Sequence, residues 1–251
     1  MKIAIDPGHG SNTAGKRTPP FPDGSVMCEN EFNEGVAALL AVELQKQGFE
    51  TIQVAPEQED TPLPTRVDRA NLAKADLYIS IHANAFGDNW NSAYGIETFV
   101  HSLSDQQTVS IAKAIQGSLV TTTGRADRGV KENRSLYVLH ATTMPAVLVE
   151  SGFMTNLEEA KLLRSEAYRR TVARAIAKGV CDYYGKGYEA SMEKEKNRYQ
   201  KLTDVPAWGK ALIGEMVEKG CFGDADHLDL SEDMLRVMVL WNRLEGKRKE
   251  A

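Results

Sequence analysis

The sequence predicts an α/β fold: a mostly parallel sheet flanked by helices, with a small C-terminal α-helical hairpin unit behind it. Three observations carry this reading. Short runs rich in Ile and Val alternate with stretches of helical periodicity, which argues for βα units. The runs are almost unbroken by polar residues, as parallel strands covered on both faces require. The alternation stops after Tyr184, where Gly185-Lys186-Gly187 breaks the chain and the charged run Glu189–Lys201 follows. The predicted organisation is therefore a main domain at 1–184, a charged linker at 185–202 whose composition is compatible with a helix, and a small helical unit at 203–251.

The predicted strands are Lys2–Ile5, Thr51–Val54, Leu77–Ile81, Ile96–Val100 and Ala146–Val149. The first helix, Asn30–Gln47, carries Phe32, Val36, Leu39 and Leu40 on one stripe and stops at Gly48. Leu63–Ala73, Gln106–Val120 and Leu157–Tyr184 show the same period, and Asn156 is the expected cap of the last. In the small unit, a helix is expected over Asp204–Lys219 and a second one after the cap Ser231. Two short helices enclose little core by themselves, so a partner surface, a second copy or a ligand is expected against them.

Bulk properties narrow the function classes. With 251 residues, 42% of them hydrophobic, and a net charge of −5, the chain has no basic excess for a phosphate backbone, so no nucleic-acid partner is expected. No apolar run approaches a membrane span, so no membrane insertion is expected. The start, MKIAIDPGHG, lacks the apolar core of a signal peptide, and synthesis in the cytoplasm is expected. Cys28, Cys181 and Cys221 are far apart and read as free thiols.

One early stretch, Gly10-Ser11-Asn12-Thr13-Ala14-Gly15-Lys16, fits all but the last position of a phosphate-binding loop. Arg17 stands where a magnesium-binding hydroxyl belongs, and Pro19-Pro20 forbid the helix that would follow. His9, between Gly8 and Gly10, points elsewhere. It lies just past the first strand; His82 lies just past the third, and Glu150 just past the last. In an open parallel sheet those ends share one edge. Glu29, at the start of the first helix, belongs to the same rim. Two histidines and one carboxylate with an open position form a catalytic zinc arrangement, and a second glutamate can act as general base. Taken singly, each of these residues is more often a hydrogen-bonded core or surface group than a ligand, and no short ligand motif is present.

The motifs in order add to this reading. IDPGHG, the pair Glu29-Asn30 with Asn33, Arg66 with Ala70-Asn71, SIHANA at Ser80–Ala85, Gly95-Ile96-Glu97, and PAVLVESGFMTN at Pro145–Asn156 resemble the zinc-dependent N-acetylmuramoyl-L-alanine amidases of the family 3 type. The resemblance covers roughly residues 1–184 and implies a phosphorylase/hydrolase-like fold. It implies Zn2+ held at His9, Glu29 and His82, with Glu150 catalytic and Arg66 and Asn84 in support. It also implies cleavage of the amide between N-acetylmuramic acid and L-alanine in peptidoglycan by zinc-activated water. His101 ends the fourth strand on what the sequence makes the same edge, and is a candidate substrate contact; His140 reads as structural. The loop from Ser11 to Cys28, long and proline-rich, is expected to border the substrate groove.

The acidic turn Asp224-Ala225-Asp226-His227-Leu228-Asp229 fails the calcium-loop pattern at Leu228, Asp229 and Leu235 and reads as a solvated turn. The C-terminal unit is similar to short helical modules at the ends of clostridial and bacillar phage lysins. That implies binding of a cell-wall polymer, or self-association. Together the two resemblances imply a phage endolysin, released through a holin-type pore or by lysis. A bacterial autolysin or sporulation amidase is the alternative. A non-catalytic wall-binding protein would be expected to have lost one of His9, Glu29, His82 or Glu150.

Overall fold

Alternation inside the strands sets the architecture. Ile3, Ile5, Leu77, Ile79, Ile81, Val147 and Val149 join one apolar cluster, while Ala4, Tyr78, Ala146 and Leu148 join another on the opposite face. A sheet buried on both sides follows, and the chain supplies helices for each. The computed structural model describes residues 1–189, 199–222, 225–226, 228, 230, 234–235 and 238–239. The chain divides into two units, one ending at residue 190 and the other beginning at 191.

In the first unit six strands run β1 (Lys2–Pro7), β2 (Glu50–Gln53), β3 (Leu77–Asn84), β4 (Ile96–Val100), β5 (Asp127–Glu132) and β6 (Ala146–Phe153). Their order in the sheet is β2-β1-β3-β6-β4-β5. All pairs are parallel except β4 with β6. Helices α1 (Glu29–Lys46), α3 (Gln106–Thr123) and α6 (Glu166–Tyr183) cover the face of Ile3 and Ile5. The shorter α2 (Leu63–Leu72) and α4 (Tyr137–His140) cover the other, through Val67, Ala70, Val138 and Leu139.

The structure departs from the expected elements in instructive ways. Strands β3 and β6 continue three and four residues past their expected ends, so His82 and Glu150 lie inside strands as register partners. Strand β5, DRGVKE, was not expected. It is an edge strand with one aliphatic residue, and its charges suit an edge. The stretch expected as one helix over Leu157–Tyr184 is two, α5 (Leu157–Arg164) and α6, because Ser165 is extended and its hydroxyl accepts from the Tyr168 N–H.

The second unit has its own small core of Tyr199, Val205, Ile213, Leu228, Leu230 and Leu235. Tyr199, placed by the sequence in the linker, is buried here and bridges Leu230. Helix α7 spans Ala207–Glu218 rather than starting at Asp204. Pro206 forces Val205 into extended backbone, so Leu202–Asp204 form only a 3₁₀ turn. The expected helicity of residues 190–198 lies outside the described residues, as do most of the expected helix after Ser231 and the turn position His227.

Candidate active site

The carboxyl ends of β1, β3 and β6 meet at one edge of the sheet, and the side chains there share one face. Asp6, Ser80, His82 and Glu150 follow the alternation of Ala4, Tyr78 and Leu148. Asp6, His82 and Glu150 line a cavity of about 530 Å³ together with His9, Arg66 and Lys16.

His9 leaves β1 in left-handed backbone with φ 62°, a conformation that costs a non-glycine residue roughly 1 kcal/mol or more. Arg66 of α2 holds it there. Its buried guanidinium bonds Asp6 Oδ1 at 2.6 Å, the Pro7 carbonyl at 2.6 Å, the His9 carbonyl at 3.0 Å, Asp60 Oδ1 at 2.9 Å and the Thr61 carbonyl at 2.7 Å. Ser80 bonds the other Asp6 oxygen at 2.7 Å. Arg66 is thus a positioning residue for the His9 turn. The turn itself admits no side chain: a Cβ on Gly8 would lie 2.1 Å from the His82 ring, and one on Gly10 would lie 2.1 Å from the Asp60 backbone nitrogen.

Glu29 opens α1, whose start is closed by the Cys28 N–H donating to Glu31 at 2.8 Å. The buried Glu29 carboxylate lies between the two imidazoles, 3.3 Å from His9 Nε2 and 2.9 Å from His82 Nδ1. Asn33 Nδ2, one turn on, donates to Glu29 at 3.3 Å and to the Gly8 carbonyl at 2.8 Å. The Ala83 N–H adds a third donor at 3.2 Å. The rings stand edge to face, centroids 5.0 Å apart. One donor atom from each of His9, Glu29 and His82 lies within 4.8 Å of the others.

The electrostatics follow from burial and from Glu29. Burial lowers the His9 pKa to about 4 against the pull of Glu29, which keeps this imidazole neutral and able to donate a lone pair. Burial also disfavours a charged His82, but its bond to Glu29 outweighs this and raises its pKa. Burial opposes ionisation of Glu29 too, yet the two histidines hold its carboxyl below the ordinary value.

Glu150 differs. Its Oε2 is buried with no hydrogen-bond partner. Burial pushes its pKa up to about 8, and the charges of Glu29 and Glu97 act in the same direction. A divalent cation between His9, Glu29 and His82 would favour the ionised form, because it would be the largest local charge. Three convergent donors beside an unpartnered carboxyl fit such a cation.

Of the supporting candidates, Arg66 bonds the His9 carbonyl and lines the cavity, and Asn84 donates to Glu97 Oε1 at 2.8 Å. His101 lies elsewhere. Because β4 runs antiparallel to β6, its carboxyl end lies at the opposite edge, and His101 lines a separate cavity with His140, Pro145 and Ala146. The same reversal brings the start of β4 to the site, where Glu97 is the register partner of Glu150. Glu97 is buried and held by Arg128 and Lys131, each at 2.6 Å. Glu97, Asn33, Asp6 and Asp60 had no assigned role in the sequence reading. A carboxylate in an Ile-Val-rich strand was the available signal for Glu97.

The fold and the site define a class: an α/β protein with three convergent donors and an adjacent buried carboxyl at one edge of its sheet, a set that fits a metal-assisted hydrolase. Residues 3–182 match the family model of N-acetylmuramoyl-L-alanine amidases, and the chain belongs to that family. It is 36% identical over 185 residues to the N-acetylmuramoyl-L-alanine amidase LytC of Bacillus subtilis, covering 72% of this chain and 35% of LytC. It is 34% identical to the uncharacterised protein YqiI of the same organism, covering 72% of this chain and 84% of YqiI. The crystal structure of an N-acetylmuramoyl-L-alanine amidase from Clostridium difficile 630 superposes with a TM-score of 0.67 at 33% identity, covering 74% of this chain and 97% of that one. The chain thus spans about a third of LytC and most of YqiI.

Proposed function

We propose that the chain is a peptidoglycan hydrolase that cleaves the amide between N-acetylmuramic acid and L-alanine, with Zn2+ held by His9, Glu29 and His82. The observation that carries this is the unpartnered Oε2 of Glu150, on the strand position paired with His82 and in the same cavity as the three donors. Zinc, when bound, supplies an acidified water and a positive charge for the amide oxygen. Glu150 takes the attacking water's proton at its carboxylate and gives it to the departing amine of alanine. Glu29 is oriented for ligation by Asn33 and the Ala83 N–H. Arg66 fixes the His9 turn before substrate arrives, so the ligands need no rearrangement.

Purified peptidoglycan is the test substrate. The expected result is new N-terminal alanine, lost with chelator and restored by zinc. New reducing sugar without new N-terminal alanine would refute the reading. For delivery, our reading is cytoplasmic synthesis and release by a holin-type pore or lysis, as for an endolysin; an autolysin or sporulation amidase would use the same chemistry. The C-terminal unit is proposed to bind a cell-wall polymer or a second copy, supported by its small separate core and the exposed Trp208 and Met234.

A further inference from the structure

Most charged groups of the active-site cavity already have a partner. Arg66 neutralises Asp6 and Asp60, and Glu29 faces both imidazoles. Glu150 lies unpaired beside the donors, where proton transfer needs it. Lys16 is the exception among the cations. It lines the same cavity, it is exposed, and among the described residues no carboxylate lies within ion-pair distance of its ammonium.

Lys16 is also held in place. Its carbonyl accepts from the Glu29 N–H at 2.9 Å, tying it to the residue between the two histidines. Next to it Arg17 bridges Cys28, and Thr18 N–H bonds the Met27 carbonyl at 2.9 Å. At the other end of the loop Ser11 N–H bonds the Gln58 carbonyl at 2.8 Å, and Thr13 bonds Asp60 at 2.7 Å. The backbone that carries Lys16 is therefore fixed relative to the ligands, while its ammonium is free at the mouth of the cavity.

We propose that Lys16 is a recognition residue whose ammonium pairs with a carboxylate of the peptide that follows the scissile amide, so that the chain prefers acidic stems. This rests on the amidase reading. An exposed ammonium that lines the cavity and has no ion-pair partner is available to an anion of the substrate, and a carboxylate accepts such a charge-assisted bond. Extended peptide advances roughly 3.5 Å per residue, so the residue after alanine stays close to the reacting amide, in the cavity that Lys16 lines. The contact is remote from the reacting atoms and is made equally in ground and transition states, so its effect belongs in KM rather than kcat.

The experiment compares two soluble substrates of the full chain loaded with zinc: a muramoyl-L-alanyl-D-glutamate whose side-chain carboxyl is an amide and whose α-carboxylate is free, and the same compound with both carboxyl groups as amides. The variants are Lys16→Ala and Lys16→Arg. On the acid, Lys16→Ala is expected to raise KM about fivefold with kcat unchanged, as for a solvent-accessible ion pair. On the amide, it is expected to change KM less than twofold. Lys16→Arg is expected to restore most of the preference. Calorimetric binding of the product peptide L-alanyl-D-glutamate should weaken by the same factor in Lys16→Ala, a readout that does not depend on turnover. Equal losses on acid and amide, or a fall in kcat at constant KM, would overturn the Lys16 proposal and leave the amidase reading standing. Failure of the unmodified chain to release the alanyl dipeptide from either substrate would overturn both.

Discussion

The two edges of the sheet carry the same kinds of residue and do different things with them. At one edge His9, His82, Glu29 and Glu150 converge, with carboxylate oxygens 3.3 Å and 2.9 Å from the imidazoles. At the other, His101 and His140 lie with ring centroids 5.8 Å apart beside Tyr137, and no carboxylate joins them in a metal-ligating group among the described residues. Both edges have histidines near strand ends. What separates them is strand direction: β1, β3 and β6 point one way and β4 the other. A histidine becomes a candidate ligand here only when its strand delivers it to an edge where a helix start brings a carboxylate.

The largest effect that would break this comparison is on turnover. Glu150→Gln keeps the side chain's shape and removes its basicity. Activity on peptidoglycan is expected to fall at least a hundredfold, with bound zinc retained. A variant with wild-type turnover would remove Glu150 from its role.

Next in size is stability. Arg66→Ala leaves Asp6 buried without its cation, and about 3–5 kcal/mol of unfolding free energy is expected to be lost, read from denaturant midpoints. A loss below about 1 kcal/mol would mean that the Arg66 network does not hold the His9 turn.

The pH dependence separates the edges too. In metal-free protein the Glu150 carboxyl has a raised pKa of about 8, above its unfolded value. The folded state therefore holds the proton more tightly between about pH 4.3 and 8, and this group's contribution to stability falls as pH rises through that window. Unfolding curves at pH 5 and pH 8.5 should show wild type losing several kcal/mol more than Glu150→Gln over this range. Identical pH slopes would contradict the buried, unpartnered carboxyl.

The smallest expected effect is at the far edge. His101→Ala should change turnover less than twofold and leave zinc content unaltered. A large loss of either would make the far edge part of the site.

Much of this was legible because the relevant signals are local. Ile-Val runs ending in Asp6-Pro7-Gly8-His9, in His82 and in Glu150 identify strands and the residues they deliver. Glu29 was legible because a βα connection returns a helix start to that edge. The direction of β4 was not, since IETFV reads the same in either orientation and only pairing with β6 fixes it. That one reversal misplaced His101 and hid Glu97. The role of Arg66 also needed three dimensions: its partners Asp6, Pro7 and His9 are 57 to 60 positions away in sequence. Strand β5 was missed because an edge strand carries little of the apolar pattern that marks the others.

The central claim is that one edge of the sheet is a metal site and the other is not. Metal analysis of purified protein after zinc loading and desalting tests it directly, comparing the unmodified chain with His82→Ala and His101→Ala. The account predicts one zinc per chain for the unmodified protein and for His101→Ala, and almost none for His82→Ala. Full zinc occupancy in His82→Ala, or loss of zinc in His101→Ala, would contradict it.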